Sequence, residues 1–201
     1  MHWPVSSTSS GNKFEYLDTW EAMTLFKEKG LVRNIGVSNF DPEQMKNLLN
    51  HTSHPPSVHQ MEMHPYLQQN EWLKLHEKHG VHVTAYSPLA GTNPTYKPGD
   101  TVPLLENDVM EKIAEKRGCT TAQVALAWGM ARGTSVIPKS QHKERIIENF
   151  GSLQCKLHEK DLKKIDKLGH EHHRYNNPSK SWKLEMYEGL EDSKGEHKKH
   201  S

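Results

Sequence analysis

Short runs rich in β-branched residues alternate along this chain with longer runs of helical period, and this alternation most constrains the fold. The strand-like runs are residues 32–37, 58–62, 81–86 and 134–137, and a stub at residues 1–5 makes five predicted strands. Runs with the apolar spacing of a helix lie between them. Because strands joined by crossover helices form a parallel sheet, the sequence predicts an α/β fold.

The helical runs carry start and stop residues that agree with their apolar period. Asp18 or Thr19 can cap the first run, and Asp41 followed by Pro42 opens the second. The later runs are residues 71–79, 108–117, 121–132 and 144–150, with a last helix at 161–168. Most of the runs end at a glycine, which can adopt the left-handed conformation that terminates a helix. These glycines are Gly30, Gly80, Gly118, Gly133 and Gly151.

Two segments are predicted to lack regular structure. Residues 90–105 contain two glycines and three prolines, which is typical of a long loop. Residues 189–201 are polar and charged, and we expect them to form a disordered tail. Residues 1–188 are therefore expected to form a single domain.

The balance of charge bounds the class of partner. Lys and Arg total 26, and Asp and Glu total 25. This balance gives no electrostatic reason to expect a nucleic acid or a membrane as partner, so a small ligand is expected. Cys119 and Cys155 are the only cysteines, which suits a reducing compartment better than a disulfide-stapled secreted fold. Without a signal peptide or an apolar run of about 20 residues, the chain is expected to be soluble and cytoplasmic.

Polar or aromatic residues stand at the ends of nearly all the predicted strands. They are His2, Ser38, Asn39, Gln60, Glu62, Tyr86, Ser87, Lys139 and Ser140. The carboxyl ends of parallel strands face the same way, and α/β enzymes place their sites on that face. A functional site is expected there, with ordinary loop polarity as the alternative for any one strand.

A basic cluster spans the start of the helix that follows the last strand. Lys139, Ser140, His142 and Arg145 lie there, where free backbone N–H groups and the helix dipole favour an anion. A guanidinium fork beside an ammonium group suits a phosphomonoester such as the 2′-phosphate of NADP. The alternative is a solvated helix face that happens to be basic.

Several segments resemble the aldo-keto reductase family in order and spacing. They read WEAM at 20–23, GVSNF at 36–40, QMEMHPYL at 60–67, AYSPL at 85–89, and IPKS at 137–140 with ERIIENF at 144–150. The resemblance covers about residues 1–170 and implies an NADP-dependent oxidoreductase with a (β/α)8 TIM barrel. Only about the last five strands of that barrel are expected here, as if the chain were truncated at its N-terminus.

The resemblance also implies roles for the residues around the nicotinamide. The carboxamide would be held by Ser38, Asn39 and Gln60, and Tyr86 would stack on the ring. The substrate carbonyl would be oriented by an imidazole and flanked by an indole; these side chains belong to His2 and Trp3.

The rest of the NADP molecule would contact a second group of residues. The pyrophosphate would lie along Ser87 and Leu89, and the adenine near Glu148 and Asn149. The 2′-phosphate would be surrounded by Lys139, Ser140 and Arg145.

The sequence departs from the family at the proton donor. The family's donor tyrosine, its partner lysine and the aspartate that pairs with that lysine have no counterpart here. The resemblance implies NADPH-dependent reduction of aldehydes or ketones, such as aldose-type carbonyls, to alcohols by hydride transfer, with activity impaired or absent in this chain. The alternative is a catalytically silent NADP-binding or interaction protein. Open barrel edges would also favour self-association.

The C-terminal region offers further candidates. One hypothesis is a metal site formed by His170, His172 and His173. A solvated run of histidines is the preferred interpretation, and no metal is predicted. In the family this region forms loops over the substrate pocket, which makes Trp182 and Tyr187 candidates by location alone.

Overall fold

The computed structural model describes residues 1–8, 11–91 and 101–190. The chain divides into two compact units. The first unit comprises Met1–Met61, Asn70–Val83 and the described residues of Asn177–Ser201, and the second comprises Glu62–Gln69 and Thr84–Asn176. Most of the predicted loop at 90–105 and nearly all of the predicted tail lie outside the described residues.

The described strands form a hairpin and a four-stranded sheet. In the hairpin, β1 (Ser6–Thr8) pairs antiparallel with β2 (Gly11–Lys13). The sheet has the order β3-β4-β5-β6, with strands at Gly36–Ser38, Val58–Glu62, His82–Tyr86 and Ser135–Val136. The pairs β3 with β4 and β5 with β6 are both parallel. A Cβ at Gly36 would lie 2.7 Å from the carbonyl oxygen of Val58, so this close pairing requires glycine.

The predicted strands differ from the observed ones at the start of the chain. The stub at residues 1–5 is not a strand; Pro4 has no N–H to donate, and the Met1 amino group donates to the carbonyl oxygen of Gly36 at 2.7 Å. The run from Val32 is a strand only from Gly36 onward, because the Val32 N–H donates to the carbonyl oxygen of Phe26 at the end of the first helix. The described sheet therefore has four strands, and the hairpin was not predicted.

Eight α-helices lie among the described residues. In chain order, α1 to α8 are Leu17–Glu28, Pro42–His51, Asn70–Lys78, Asp108–Arg117, Thr121–Ala131, Lys143–Phe150, Glu159–Asp166 and Ser179–Trp182. Short 3-10 turns occupy Leu104–Glu106, Gly151–Gln154 and Lys167–Glu171. The predicted last helix, at 161–168, is thus followed by a 3-10 turn and α8.

The helix ends confirm some of the predicted boundary residues and correct others. Asp41 caps α2 in a reciprocal capping box, and Gly118 ends α4 in the left-handed conformation. By contrast, α1 is preceded by Tyr16, so Asp18 lies within its first turn. Gly151 remains right-handed and leads into a 3-10 turn. A Cβ there would lie 2.8 Å from Nε2 of Gln123, so the Gln123 side chain would have to shift to accept any other residue.

Each unit has its own buried apolar residues. In the first unit they include Trp20, Phe40, Met45 and Leu48, contributed by α1, the end of β3 and α2. In the second unit an apolar cluster packs α4, α5 and α7 together, and its members include Leu104, Met110, Ile113, Val124, Trp128 and Ile165.

The two cysteines form a disulfide, which corrects the expectation from the sequence. Cys119 follows α4, and Cys155 follows the 3-10 turn after α6. The second unit brings them together across 36 residues of sequence, a contact that their spacing does not reveal. The cysteine count therefore no longer supports a reducing compartment. Among the described residues, no helix combines the length and the apolar character needed to cross a bilayer.

Candidate functional site

A cavity in the first unit brings together three of the residues that the sequence singled out. It has a volume of about 420 Å³ and is lined by Met1, His2, Gly36, Val37, Ser38, Val58 and Gln60. Ser38 and Gln60 are opposite each other in the register of β3 and β4, and opposite residues in a pleated sheet project to the same face. His2, Ser38 and Gln60 thus border one space.

Asn39 follows β3 in a strained backbone conformation. Its φ of 61° lies in the left-handed region, which asparagine enters more readily than most residues. Its Nδ2 donates to Ser38 Oγ and to the carbonyl oxygen of His2, both at 3.1 Å. Its N–H donates to the carbonyl oxygen of Gln60 at 3.1 Å. Such strained residues cluster at ligand sites, where the surrounding bonds hold them.

Two C-terminal aromatic residues contact the same part of the first unit. The Tyr187 hydroxyl donates to Asn39 Oδ1 at 3.4 Å. The Trp182 ring packs edge to face on Trp3, with centroids 4.8 Å apart, and Trp3 in turn lies 5.8 Å from the exposed His2 ring. The candidates that the sequence offered by location alone therefore touch two of the predicted site residues.

In the second unit, Tyr86 ends β5 and Ser87 follows it. The Tyr86 hydroxyl accepts a hydrogen bond from Asn176 Nδ2 at 3.1 Å, and its carbonyl oxygen accepts one from the Met63 N–H at 3.3 Å. Ser87 has a φ of 47°, so the chain is strained directly after this strand too. Leu89 packs in part against the apolar cluster of this unit.

The predicted phosphate-binding residues lie around the start of α6. Lys139 and Arg145 are exposed, and Ser140 is half-buried. Ser140 Oγ accepts a hydrogen bond from the His142 N–H at 3.1 Å. Within the described chain, the His142 side chain makes no capping bond to α6, so the first-turn N–H groups are not satisfied by it.

The residues predicted near the adenine lie at the other end of α6. Glu148 and Asn149 are both half-buried in its last turn. The Glu148 carbonyl oxygen accepts a hydrogen bond from Gln123 Nε2 at 2.9 Å, which fixes this turn against α5. The predicted residues thus form three local groups: one at the ends of β3 and β4, one after β5, and one along α6.

A buried carboxylate, to which the family resemblance assigns no role, lies at the end of β4. Glu62 is fully buried, and its Oε1 lies 2.9 Å from His64 Nε2. Burial raises the pKa of Glu62, but the hydrogen bond from His64 and the charge of Arg174 outweigh burial, so the pKa falls below its ordinary value. Its signal in the sequence was its place at the carboxyl end of a predicted strand.

The histidine run gives no metal centre among the described residues. No group of three or more His, Cys, Asp or Glu side chains is arranged there to hold a metal ion. The exposed His170 ring contacts Glu171, while the backbone N–H of the buried His173 donates to the carbonyl oxygen of Tyr66 at 3.0 Å.

Comparison with solved structures identifies the fold. The aldose reductase of Giardia lamblia superposes with a TM-score of 0.80 and 32% sequence identity, covering 92% of this chain and 65% of that chain. The described sheet and helices are therefore part of a (β/α)8 barrel of the aldo-keto reductase type.

Comparison with curated sequences gives the family. The chain is 40% identical over 179 residues to the NADPH-dependent D-xylose reductase of Meyerozyma guilliermondii, covering 84% of this chain and 56% of that protein. It is 36% identical over 188 residues to aldo-keto reductase family 1 member A1 of Cricetulus griseus, covering 87% and 58%. The chain thus spans little more than half the length of these relatives. Since the model of the aldo/keto reductase family matches residues 1–170, the chain belongs to that family.

Proposed function

We propose that this chain contributes to NADPH-dependent reduction of aldehydes or ketones to alcohols by hydride transfer. The observation that carries the proposal is the cavity in which His2, Ser38 and Gln60 meet. The names of two relatives, an NADPH-dependent xylose reductase and an aldose reductase, agree with it.

The residue types in the first two groups fit a nicotinamide. The cofactor supplies the hydride when it is bound. The Ser38 hydroxyl and the Gln60 amide offer the donors and acceptors that read a carboxamide, and Asn39 holds the backbone between them in place. The Tyr86 ring offers a flat apolar surface for one face of the nicotinamide.

The third group fits the phosphates and the adenine of NADP. The exposed Lys139 and Arg145 would bind the 2′-phosphate together with Ser140, because an anion at the start of α6 also meets its dipole. Along the rest of the cofactor, the pyrophosphate would lie against Ser87 and Leu89, and the adenine against Glu148 and Asn149.

His2 would orient the carbonyl of the substrate. Its ring is exposed and borders the cavity, so an imidazole nitrogen can reach a carbonyl oxygen placed there. Trp3, whose ring centroid lies 5.8 Å from that of His2, would flank the substrate. The family's proton donor has no matching residue in this sequence, so we propose that the chain alone binds NADPH but turns over slowly or not at all. The alternative is a silent NADP-binding protein.

Titration with NADPH and with NADH tests the cofactor assignment. Quenching of the five tryptophans reports binding. We expect saturable binding that favours NADPH, weakened about tenfold by Lys139→Ala or Arg145→Ala, since each removes a charged partner of the 2′-phosphate. NADH binding should change little. Lys112→Ala, which removes an exposed lysine of α4, is the matched control. Absence of saturable NADPH binding would refute the assignment.

A measurement of turnover distinguishes the reductase from the silent NADP-binding protein. Reduction of a small aldehyde by the full-length product of the gene, lost on His2→Ala with NADPH binding retained, would support the reductase. Tight NADPH binding without turnover, even with the full-length product of the gene, would support the silent alternative.

We also propose that copies of the chain associate through the edges of the sheet. In the second unit, α6 follows the edge strand β6 and leaves three apolar side chains exposed, those of Ile146, Ile147 and Phe150. Exposed apolar patches beside a strand edge favour association.

A further inference from the structure

Both oxygens of the Glu62 carboxylate hold the chain segment that follows the last 3-10 turn. The Tyr175 N–H donates to Oε1 and the Asn176 N–H donates to Oε2, each at 2.8 Å. Oε1 also lies 2.9 Å from His64 Nε2. A fully buried carboxylate with these partners is fixed, because any bond that is lost leaves a buried charge or a buried N–H unsatisfied.

Asn176 carries this constraint to Tyr86. Its backbone N–H is held by Glu62, and its side-chain Nδ2 donates to the Tyr86 hydroxyl at 3.1 Å. Glu62 therefore reaches the Tyr86 phenol through a single intervening residue. The carbonyl end of Tyr86 is held separately by the Met63 N–H.

Two further contacts hold the same segment in place. A Cβ at Gly91 would overlap the Tyr175 ring, so the ring occupies space that only glycine leaves free. The His173 N–H donates to the carbonyl oxygen of Tyr66 at 3.0 Å. Burial raises the pKa of Tyr175 to about 12, which keeps its phenol neutral beside the Glu62 carboxylate.

We propose that Glu62 is a positioning residue for the nicotinamide ring. Its carboxylate fixes Asn176, and Asn176 fixes the Tyr86 phenol on which the ring stacks. The inference rests on the proposed function, because it requires Tyr86 to be the stacking residue. Glu62 itself does not touch the cofactor.

Two ligands that differ only in the nicotinamide test the proposal. NADPH carries the ring, and 2′-phospho-ADP-ribose lacks it. Glu62→Gln leaves one oxygen for two backbone N–H groups and turns an NH2 group toward one of them. We expect this variant to bind NADPH about tenfold more weakly and 2′-phospho-ADP-ribose as the wild type does.

Two further variants control for loss of structure. Asn176→Ala keeps the backbone bonds to Glu62 and removes the bond to Tyr86, so it should reproduce the selective loss. Asp161→Asn alters another buried carboxylate, paired with Arg117. It should lower stability without changing the ratio of the two affinities.

The outcomes separate this proposal from the proposed function. If Glu62→Gln weakens both ligands equally, or neither, the positioning role is wrong while NADPH binding by the wild type still stands. If the wild type binds neither ligand, the proposed function fails.

A second measurement needs no cofactor. In tyrosines labelled with 13C at the ε position, the Tyr86 signal, assigned through Tyr86→Phe, should shift in Glu62→Gln as it does in Asn176→Ala, and not in Asp161→Asn. An unshifted signal in Glu62→Gln would overturn the proposal whether or not the cofactor binds.

Discussion

At the scale of single residues, Asp41 both caps α2 and lies where its charge is disfavoured. Its Oδ1 accepts the Gln44 N–H at 2.8 Å, and Gln44 Oε1 accepts the Asp41 N–H at 3.1 Å. Burial raises the pKa of Asp41 to about 6, opposed by the Gln44 hydrogen bond and reinforced by the negative charges of Glu188 and Glu43.

The raised pKa of Asp41 predicts an unusual pH dependence for a helix cap. Its folded pKa exceeds the unfolded value of 3.8, so its contribution to stability is complete below that pH and is lost as the pH rises through about 6. Asp41→Asn keeps an acceptor without the charge. We expect the difference in free energy of unfolding between the variant and the wild type to grow, in favour of the variant, by on the order of 1 to 2 kcal/mol from pH 4 to pH 8. Denaturant unfolding measures this difference.

A second substitution isolates the cap itself. Asp41→Ala removes the acceptor and should lower the free energy of unfolding by about 1 kcal/mol near pH 4, where the charge is absent. A difference between the wild type and Asp41→Asn that stays constant from pH 4 to pH 8 would contradict the raised pKa.

At the scale of the element, two buried histidines link β4 to α3. The Phe40 N–H donates to His59 Nε2 at 3.1 Å, His59 Nδ1 lies 2.6 Å from His76 Nε2, and His76 Nδ1 lies 2.7 Å from the carbonyl oxygen of Trp72. An amide N–H only donates and a carbonyl only accepts. Each neutral ring must therefore carry its proton on Nδ1.

The pair should remain neutral where ordinary histidines gain charge. Burial lowers the pKa of both rings, and the nearby His76 lowers that of His59 further. Their contribution to stability is therefore complete above about pH 6.5 and is lost as the pH falls below it, where the unfolded chain gains protons. We expect 15N spectra at pH 6.5 to show two neutral rings with the proton on Nδ1.

Substitution tests the hydrogen-bonded chain directly. His76→Leu removes the acceptor of His59 and should lower the free energy of unfolding by about 1 to 3 kcal/mol at pH 7.5. His79→Leu, at an exposed position one turn further on, should change it by less than about 0.5 kcal/mol. A charged ring, or one protonated only on Nε2, would refute the assignment.

At the scale of the whole molecule, exposed apolar side chains accompany both edge strands. Phe150 and Ile147 of α6 are 75% and 62% exposed, and Leu31, shortly before β3, is 68% exposed. We expect sedimentation velocity to show association that increases with concentration. Phe150→Lys combined with Ile147→Lys should reduce it if the β6 edge is used, and Leu31→Lys if the β3 edge is used. Association unchanged by either set would contradict the edge proposal.

Much of the secondary structure could be predicted because its signals are local. The bounds of β4 and α4 agree with the predicted runs at 58–62 and 108–117, and Asp41 caps α2 as expected. A cap, a terminating glycine and an apolar period act within a few residues. The hairpin at β1 and β2 carried no such signal. The close approach of Gln123 to Gly151 depends on tertiary packing, so the sequence did not show it.

The candidate site, too, was predicted in part from the sequence, while other parts of it became visible only in the tertiary structure. The sequence by itself determined the residue types at the strand ends and the family, and it placed Ser38 and Gln60 on strands that do pair. Their roles with the cofactor stay predictions. Only the tertiary structure decided the Cys119–Cys155 disulfide and the reach of Glu62 to Asn176, which is 114 residues away. Such contacts depend on how elements far apart in the sequence pack together, and the spacing of residues along the chain does not show which of them come into contact.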